Sequence, residues 1–476
     1  MAETGKPSEN ETGKPSENIV KVRDDHEPIS FCWDTEKNIF IPKNKQESGG
    51  EPTLSDMSKT DMRAKVEPWL TSLFQSEHLS LLVGSGLTSA VQREACGKVD
   101  NGMNVEAGFS VFADAIKQAA QSSAEKIGRG EANIEDQIRV ANELIRGFEI
   151  ITTGAGTAHS ETAQYKLSLE KLQTNLTDTL NKFTGNILGI EDSIISSSDN
   201  RENAFNKLVS FLMSFASRSG TRDRLNIFTT NYDRLIEAGA DVAGLRLIDR
   251  FVGALSPVFR SSRMDVDMHY NPPGIRGEPR YLEGVARFTK LHGSLDWIAT
   301  GNDIRRVGLP FGAKSIKPFL ENAGFDTNYS SLMIYPNSAK DRETAEYPYV
   351  ELFRDFAAAL CRPNSTLVTY GYSFGDDHIN RVIRDMLTIP STHLVIIAYD
   401  DRSGRIMKKF DEWGRQSQIS LMIGCEVANI NDLTDYYLPK PAIDRASMRM
   451  AELLRQRFDI QHSEKQSDKS EGASAQ

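Results

Sequence analysis

From residue 203 to residue 424 the chain repeats one pattern: a run of four to seven apolar residues, a glycine or polar cluster, then a stretch with apolar side chains at helical spacing. The runs "LNIFTT", "RFTKLHG", "SLMIYP", "TLVTYGYS", "HLVIIAYD" and "QISLMIG" alternate with "AFNKLVSFLMSFASR", "VELFRDFAAALCR", "DHINRVIRDML" and a further helical stretch near 403–415. Strands apolar along their whole length are buried on both faces, and helices between them supply the cover, so the pattern predicts an α/β fold built on a mainly parallel, Rossmann-like sheet. "EHLSLLVGSGLTSA" (77–90) reads as the first strand of that sheet breaking into a glycine-rich turn. Residues 105–188 interrupt the alternation with "FADAIKQAAQSSAEKI", "IEDQIRVANELIRGF" and "ETAQYKLSLEKLQTNLTDTLNKF", whose three- and four-residue apolar spacing predicts amphipathic helices. The sheet is therefore expected to carry a helical insertion after its first strand.

The ends of the chain differ from its middle. The tandem octapeptide in "ETGKPSENETGKPSEN" and the closing "HSEKQSDKSEGASAQ" are too polar to bury a core, so disorder is expected at 1–18 and 461–476. Residues 19–60 are expected to be poorly ordered or loosely docked, 61–440 to form the catalytic domain, and "AIDRASMRMAELLRQRF" (within 441–460) to form a last helix. A net charge of −10 argues against a surface made to grip nucleic acid, so direct DNA binding is not expected. Cys32, Cys96, Cys361 and Cys425 lie far apart with no C-x-x-C pair, which points away from a zinc ribbon or a disulfide framework. With no apolar run of membrane-spanning length and no secretory leader pattern, a cytoplasmic protein is expected.

In an open α/β sheet the ligand sits outside the carboxyl ends of the strands. Here those ends read "GSG" (84–86), "TTNYD" (229–233), "LHGS" (291–294), "YGYSFGDDH" (370–378) and "AYDD" (398–401). The Gly84-Ser85-Gly86 turn would let backbone N–H groups approach a phosphate, or is simply a tight connection. Gly371 and Ser373 offer a second turn with a hydroxyl for phosphate or ribose, while Asp376 and Asp377 also suit a helix cap. His292, at a strand end before glycine and serine, is placed as a proton acceptor or serves structure only; His378 reads as a helix-surface residue and His269 as a loop residue. Asn231 carries an amide able to orient a water or a sugar hydroxyl, and Asp233 a carboxylate able to accept hydrogen bonds; the alternative is an Asx-type cap on the following helix.

In this order, "VGSGLT", "FTTNYDRLIE", "KLHGSLDW" and "YGYSFGDDHIN" resemble the sirtuin-like NAD-binding domain, and more narrowly its branch in bacterial anti-phage defence, over roughly 77–425. The resemblance implies NAD as substrate, with its pyrophosphate near Gly84, Ser85 and Gly86, and Thr230, Asn231 and Asp233 around the nicotinamide ribose. It implies His292 as the catalytic histidine, paired in function with Asn231, and Gly371 and Ser373 on the ADP-ribose side. The four-cysteine zinc module of deacylating sirtuins is missing, other sequence including the loop 255–284 stands in its place, and "LTSA" follows the first glycines. No zinc is expected, and the bet moves from acyl-lysine chemistry to NAD hydrolysis that depletes the cell during infection. The resemblance further implies a homo-oligomer co-assembled with a HerA-type DNA-translocating ATPase. The other readings are a deacylase or ADP-ribosyltransferase, and a scaffold or nuclease subunit, for which "GDDH" is a weak metal candidate.

Overall fold

The computed structural model describes residues 17–440 except 24, 44–54, 100–106, 127–129, 154–158, 219–222, 271–279, 302, 326–331 and 335–346. The expected tails and the helix at 441–460 lie outside the described residues. An eleven-stranded sheet runs in the order Met57–Ser58, Ile39–Pro42, Ile29–Asp34, Glu17–Lys21, Ile419–Ile423, His393–Ala398, Ser365–Tyr370, His78–Val83, Leu225–Thr229, Val285–Lys290, Arg246–Ile248. The last seven pair in parallel, as their apolar runs require. Side chains alternate between two cores: Leu81 and Val83 pack with the helices Lys59–Phe74, Ser85–Cys96 and Arg201–Ala216, whereas Leu82 packs with Tyr349–Leu360, Asp377–Met386 and Arg405–Trp413. The fold is a mixed α/β architecture around a Rossmann-like sheet.

Chain order reverses beside His78–Val83. The next strand in sequence, Leu225–Thr229, lies on one side of it, and the later Ser365–Tyr370 on the other. The turns after these strands therefore splay apart at a topological switch point, where a doubly wound sheet leaves a crevice.

The helical insertion follows Ser85–Cys96 as Ala113–Lys126, Ile134–Thr153 and His159–Ser196, the last running past the expected limit of 188. Its apolar stripes (Ile138, Ile145, Leu172, Phe183) share a third core with Tyr232 and Leu295, so the insertion packs on the strand-end loops of the sheet. Among the described residues, no helix is long and apolar enough to cross a membrane.

Two expectations need correction. Residues 19–60 are not a loose tail throughout: Glu17–Lys21, Ile29–Asp34 and Ile39–Pro42 form an antiparallel meander that pairs with Ile419–Ile423 and extends the sheet. Val20, Phe31 and Phe40 are buried there, and the Asp34 carboxylate accepts from the Glu36 and Lys37 N–H groups to close the turn. The run "SLMIYP" does not join the parallel sheet; Leu332–Ile334 edges a separate five-stranded sheet with Gly293–Thr300, Asp303–Arg306, Val258–Phe259 and Phe251–Val252. The described parts of the loop 255–284 supply Val258–Phe259, His269–Tyr270 and Arg280–Tyr281, so this stretch is partly strand, with His269 opposite Tyr281.

Candidate functional site

A cleft of about 800 Å3 opens at the switch point. Its walls include Gly84, Ser85, Thr230, Asn231, Asp233, His292, Gly371 and Ser373, so eight of the nine residues singled out from sequence face one space and Gly86 does not. That size lies in the upper part of the range of ligand clefts, roughly 300–1,000 Å3, and suits a dinucleotide.

The glycines have a packing reason first. A Cβ on Gly84 would lie 2.4 Å from the Gly371 carbonyl oxygen, and one on Gly86 2.5 Å from the Gly371 Cα. Gly371 itself sits at φ +60°. Two adjacent strand ends thus touch backbone to backbone, which only residues without a side chain permit. Their N–H groups are committed as well, Gly84 donating to Tyr370 O and Gly86 to Gly371 O, both at 3.0 Å. In place of a bare cradle of glycine N–H groups, the turn presents exposed Ser85 to the cleft, with exposed Ser373 on the facing turn.

Asn231 is fixed by its donors. Its Nδ2 donates to the Gly84 carbonyl at 3.0 Å and to Thr88 Oγ1 at 3.1 Å, and its backbone N–H donates to Thr229 Oγ1 at 3.0 Å. With both amide hydrogens engaged, the carbonyl oxygen Oδ1 is the atom left to meet a ligand or water. The Thr88 hydroxyl passes the chain on, donating to Asp233 Oδ2 at 2.7 Å, while Asp233 Oδ1 accepts from the Leu235 N–H at 3.1 Å. Asp233 therefore makes an Asx-type contact to the first N–H of the helix Leu235–Ala243, whose N-cap position is Arg234, and it also anchors the asparagine through Thr88. Lys290, buried beneath, donates to the Tyr232 carbonyl at 3.4 Å, to the Asp233 carbonyl and to Glu237 Oε1 at 3.0 Å. Burial pushes the Glu237 carboxyl up, against the pull of Lys290.

The insertion completes the cleft. Gly130, Glu131, Ala132, Asn133 and Glu135 line it from that side, and Tyr232 Oη donates to Glu135 Oε1 at 3.1 Å. Burial, reinforced by the charge on Glu135, holds the Tyr232 phenol well above its ordinary range, so it stays a donor. Next in the chain, Arg234 and Glu191 form a buried ion pair: the Arg234 N–H and Nε reach Glu191 Oε1 at 2.8 and 3.3 Å, and Nη2 reaches Oε2. The loop Asn231–Arg234 is thus held by the insertion at two points. Arg402, in the loop after His393–Ala398, and Arg405, at the start of the helix Arg405–Trp413, also line the cleft, so acidic and basic side chains reach it from different elements.

His292 lies at the end of Val285–Lys290, buried to 7% exposure, with its Nε2 3.2 Å from the Nε2 of His378 on the helix Asp377–Met386. His378 is buried too, not a helix-surface residue as its sequence context implied. Asp376 occupies the cap position of that helix without a side-chain capping bond and lines the cleft instead. Thr88, Glu135 and Lys290 were not singled out from sequence, and His378 was given no place in the site. For Lys290 a signal was available, a lysine inside an otherwise apolar strand end; the others depend on pairings across more than eighty residues. Among the described residues no group of three or more His, Cys, Asp or Glu side chains could hold a metal ion.

With this geometry in place, the comparison with known families is specific. Residues 225–418, less than half of the chain, match the SIR2-like domain. The match spans the Asn231, His292 and Gly371 segments and leaves the Gly84 turn outside it. No curated protein matches the chain. The matched segment is similar to a SIR2-like domain, and SIR2-like domains use NAD, so an NAD-utilising enzyme is the class the match supports.

Proposed function

We propose that the protein is an NAD+ hydrolase that releases nicotinamide and yields ADP-ribose. The observation that carries the reading is Asn231: its amide hydrogens are tied to Gly84 and Thr88, which leaves Oδ1 for a water in the same cleft as His292. NAD+ brings a glycosidic bond whose leaving group departs as neutral nicotinamide. The chain has to hold a water, take its proton and exclude the rest of the solvent. Asn231 orients the water as acceptor, His292 takes the proton directly or through a ribose hydroxyl, and Thr88 and Asp233 hold the asparagine in place. Thr230 faces the same end of the cleft, Ser85 and Ser373 serve as hydroxyl contacts for phosphate or ribose, and the glycines let the two turns close up.

The proposal extends to biology through the ordered motifs described above: NAD depletion in anti-phage defence, by a homo-oligomer controlled through assembly with a HerA-type ATPase. The two anchors between insertion and site loop support control of this kind, since a partner bound to the insertion would act on Asn231 through them.

The test is incubation of the purified protein with NAD+, alone and with the ATPase, with and without an acylated peptide. Free nicotinamide and ADP-ribose without any peptide are expected. Release that requires the peptide, or no release under any of these conditions, would overturn the proposal.

A further inference from the structure

Glu135 is a buried carboxylate in the wall of the cleft, 7% exposed, and its hydrogen-bond partner is a phenol: Tyr232 Oη donates to Oε1 at 3.1 Å. Among the described residues it forms no ion pair. The cations of the neighbouring elements are engaged elsewhere, Arg139 with Glu143 at 3.2 Å, Lys290 with Glu237 at 3.0 Å, and Arg234 with Glu191. Nor is Glu135 needed to close the start of its own helix. There Asn133 and Asp136 bond reciprocally, the Asp136 N–H donating to Asn133 Oδ1 and the Asn133 N–H to Asp136 Oδ2, both at 3.1 Å. Buried charges are ordinarily paired, so the cation for this one has to come with whatever fills the cleft.

Glu135 stands at the reacting end. Tyr232 follows Asn231 in the chain, and its ring lies 6.4 Å from that of His292. The other carboxylate of this loop, Asp233, has both oxygens hydrogen-bonded, by Thr88 Oγ1 and by the Leu235 N–H. Arg402 and Arg405 line the same cleft from beyond His393–Ala398, three strands along from Leu225–Thr229 and so roughly 14 Å away at the ordinary strand spacing. A lone anion near Asn231 and cations farther along match the order of charge in an oxidised dinucleotide, whose nicotinamide nitrogen is positive and whose phosphates are negative. We infer that Glu135, supplied by the helical insertion, is the counter-ion of the nicotinamide ring and makes the cleft select the oxidised dinucleotide over the reduced one, whose ring is neutral.

This inference rests on the NAD reading, but its test needs no turnover. The probes are carbocyclic NAD+, whose ring linkage resists hydrolysis, and its reduced form; binding of each to the full-length chain is followed by calorimetry. The parent protein should hold the oxidised form about tenfold tighter than the reduced one. Glu135→Gln keeps an acceptor for Tyr232 Oη but removes the charge, and should bring the two affinities within about twofold. Tyr232→Phe removes the hydrogen bond but keeps the carboxylate, and should retain the preference. Equal affinity for both forms in the parent, or a preference that survives Glu135→Gln unchanged, overturns the inference while leaving NAD binding intact. A Tyr232→Phe variant that loses the preference as fully as the Gln variant would show that the hydrogen bond and not the charge selects the ring, and overturns it as well. Binding of neither form to any of the three proteins sinks the NAD reading and this inference with it.

Discussion

The ion pair between Arg234 and Glu191 offers a quantitative test of how the insertion is joined to the site. Both side chains are almost fully enclosed, at 6% and 1% exposure. The guanidinium also donates to the Leu309 and Pro310 carbonyls, so nearly all its hydrogens are used. Burial raises the Glu191 carboxyl above its ordinary range even though Arg234 lies against it, and taking both charges out of water costs free energy that their attraction has to offset. Removing one partner should therefore cost far more than removing both. Glu191→Leu strands a buried cation and should cost about 3–5 kcal/mol, while Glu191→Leu combined with Arg234→Met should recover most of that and lie within about 1–2 kcal/mol of the parent protein. Urea unfolding followed by circular dichroism supplies the numbers for the parent, both single variants and the double. If the double variant loses the sum of the single losses, the two groups do not act as a pair. If Glu191→Leu costs less than about 1 kcal/mol, the pair is wet and the insertion is not fastened there.

Other perturbations follow from the same geometry. Thr88→Val keeps the shape but removes the hydroxyl between Asn231 and Asp233, and should cost about 1.5–3 kcal/mol in urea unfolding and slow nicotinamide release; unchanged release would mean Asn231 does not depend on Thr88. Gly371→Ala must hold φ +60° with a Cβ 2.5 Å from Gly86 Cα, so it should lose at least about 1–2 kcal/mol and bind NAD+ more weakly, measured by thermal melting and calorimetry. His393 is partly buried beside Ser420, its Nε2 2.8 Å from Oγ, and desolvation, with Lys21 nearby, lowers its pKa to about 4. The unfolded chain binds that proton below about pH 6.5 and the folded one only near 4, so stability should fall as pH drops through this window, by up to about 3 kcal/mol. His393→Gln should flatten this dependence, and parallel slopes in the two proteins would refute the assignment.

The parallel sheet was legible because strands such as His393–Ala398, buried at every position after the first, show as unbroken apolar runs. The meander at 17–43 was hidden for the opposite reason. Its strands are short, partly exposed and set beside a low-complexity repeat, although "SFCWDTEKNIFIP" carries the Asx turn that closes it. The separate antiparallel sheet begins one residue after His292, where an apolar run continues across a reversal that period alone does not mark. In the site, residues at strand ends could be named from the rule for open sheets, which is why eight of them share the cleft. Residues acting through partners could not: Thr88 reads as an ordinary helix residue until Asn231 and Asp233 are seen on either side of it, and His378 as a surface histidine until His292 lies 3.2 Å away.

The account stands or falls on Asn231, whose fixed amide is held to orient the reacting water. The direct measurement is nicotinamide release by Asn231→Ala beside the parent protein, with NAD+ binding followed by calorimetry on the same samples. The variant should fold, still bind NAD+ and release nicotinamide about 10²–10⁴ times more slowly. Release at the parental rate would contradict the central claim.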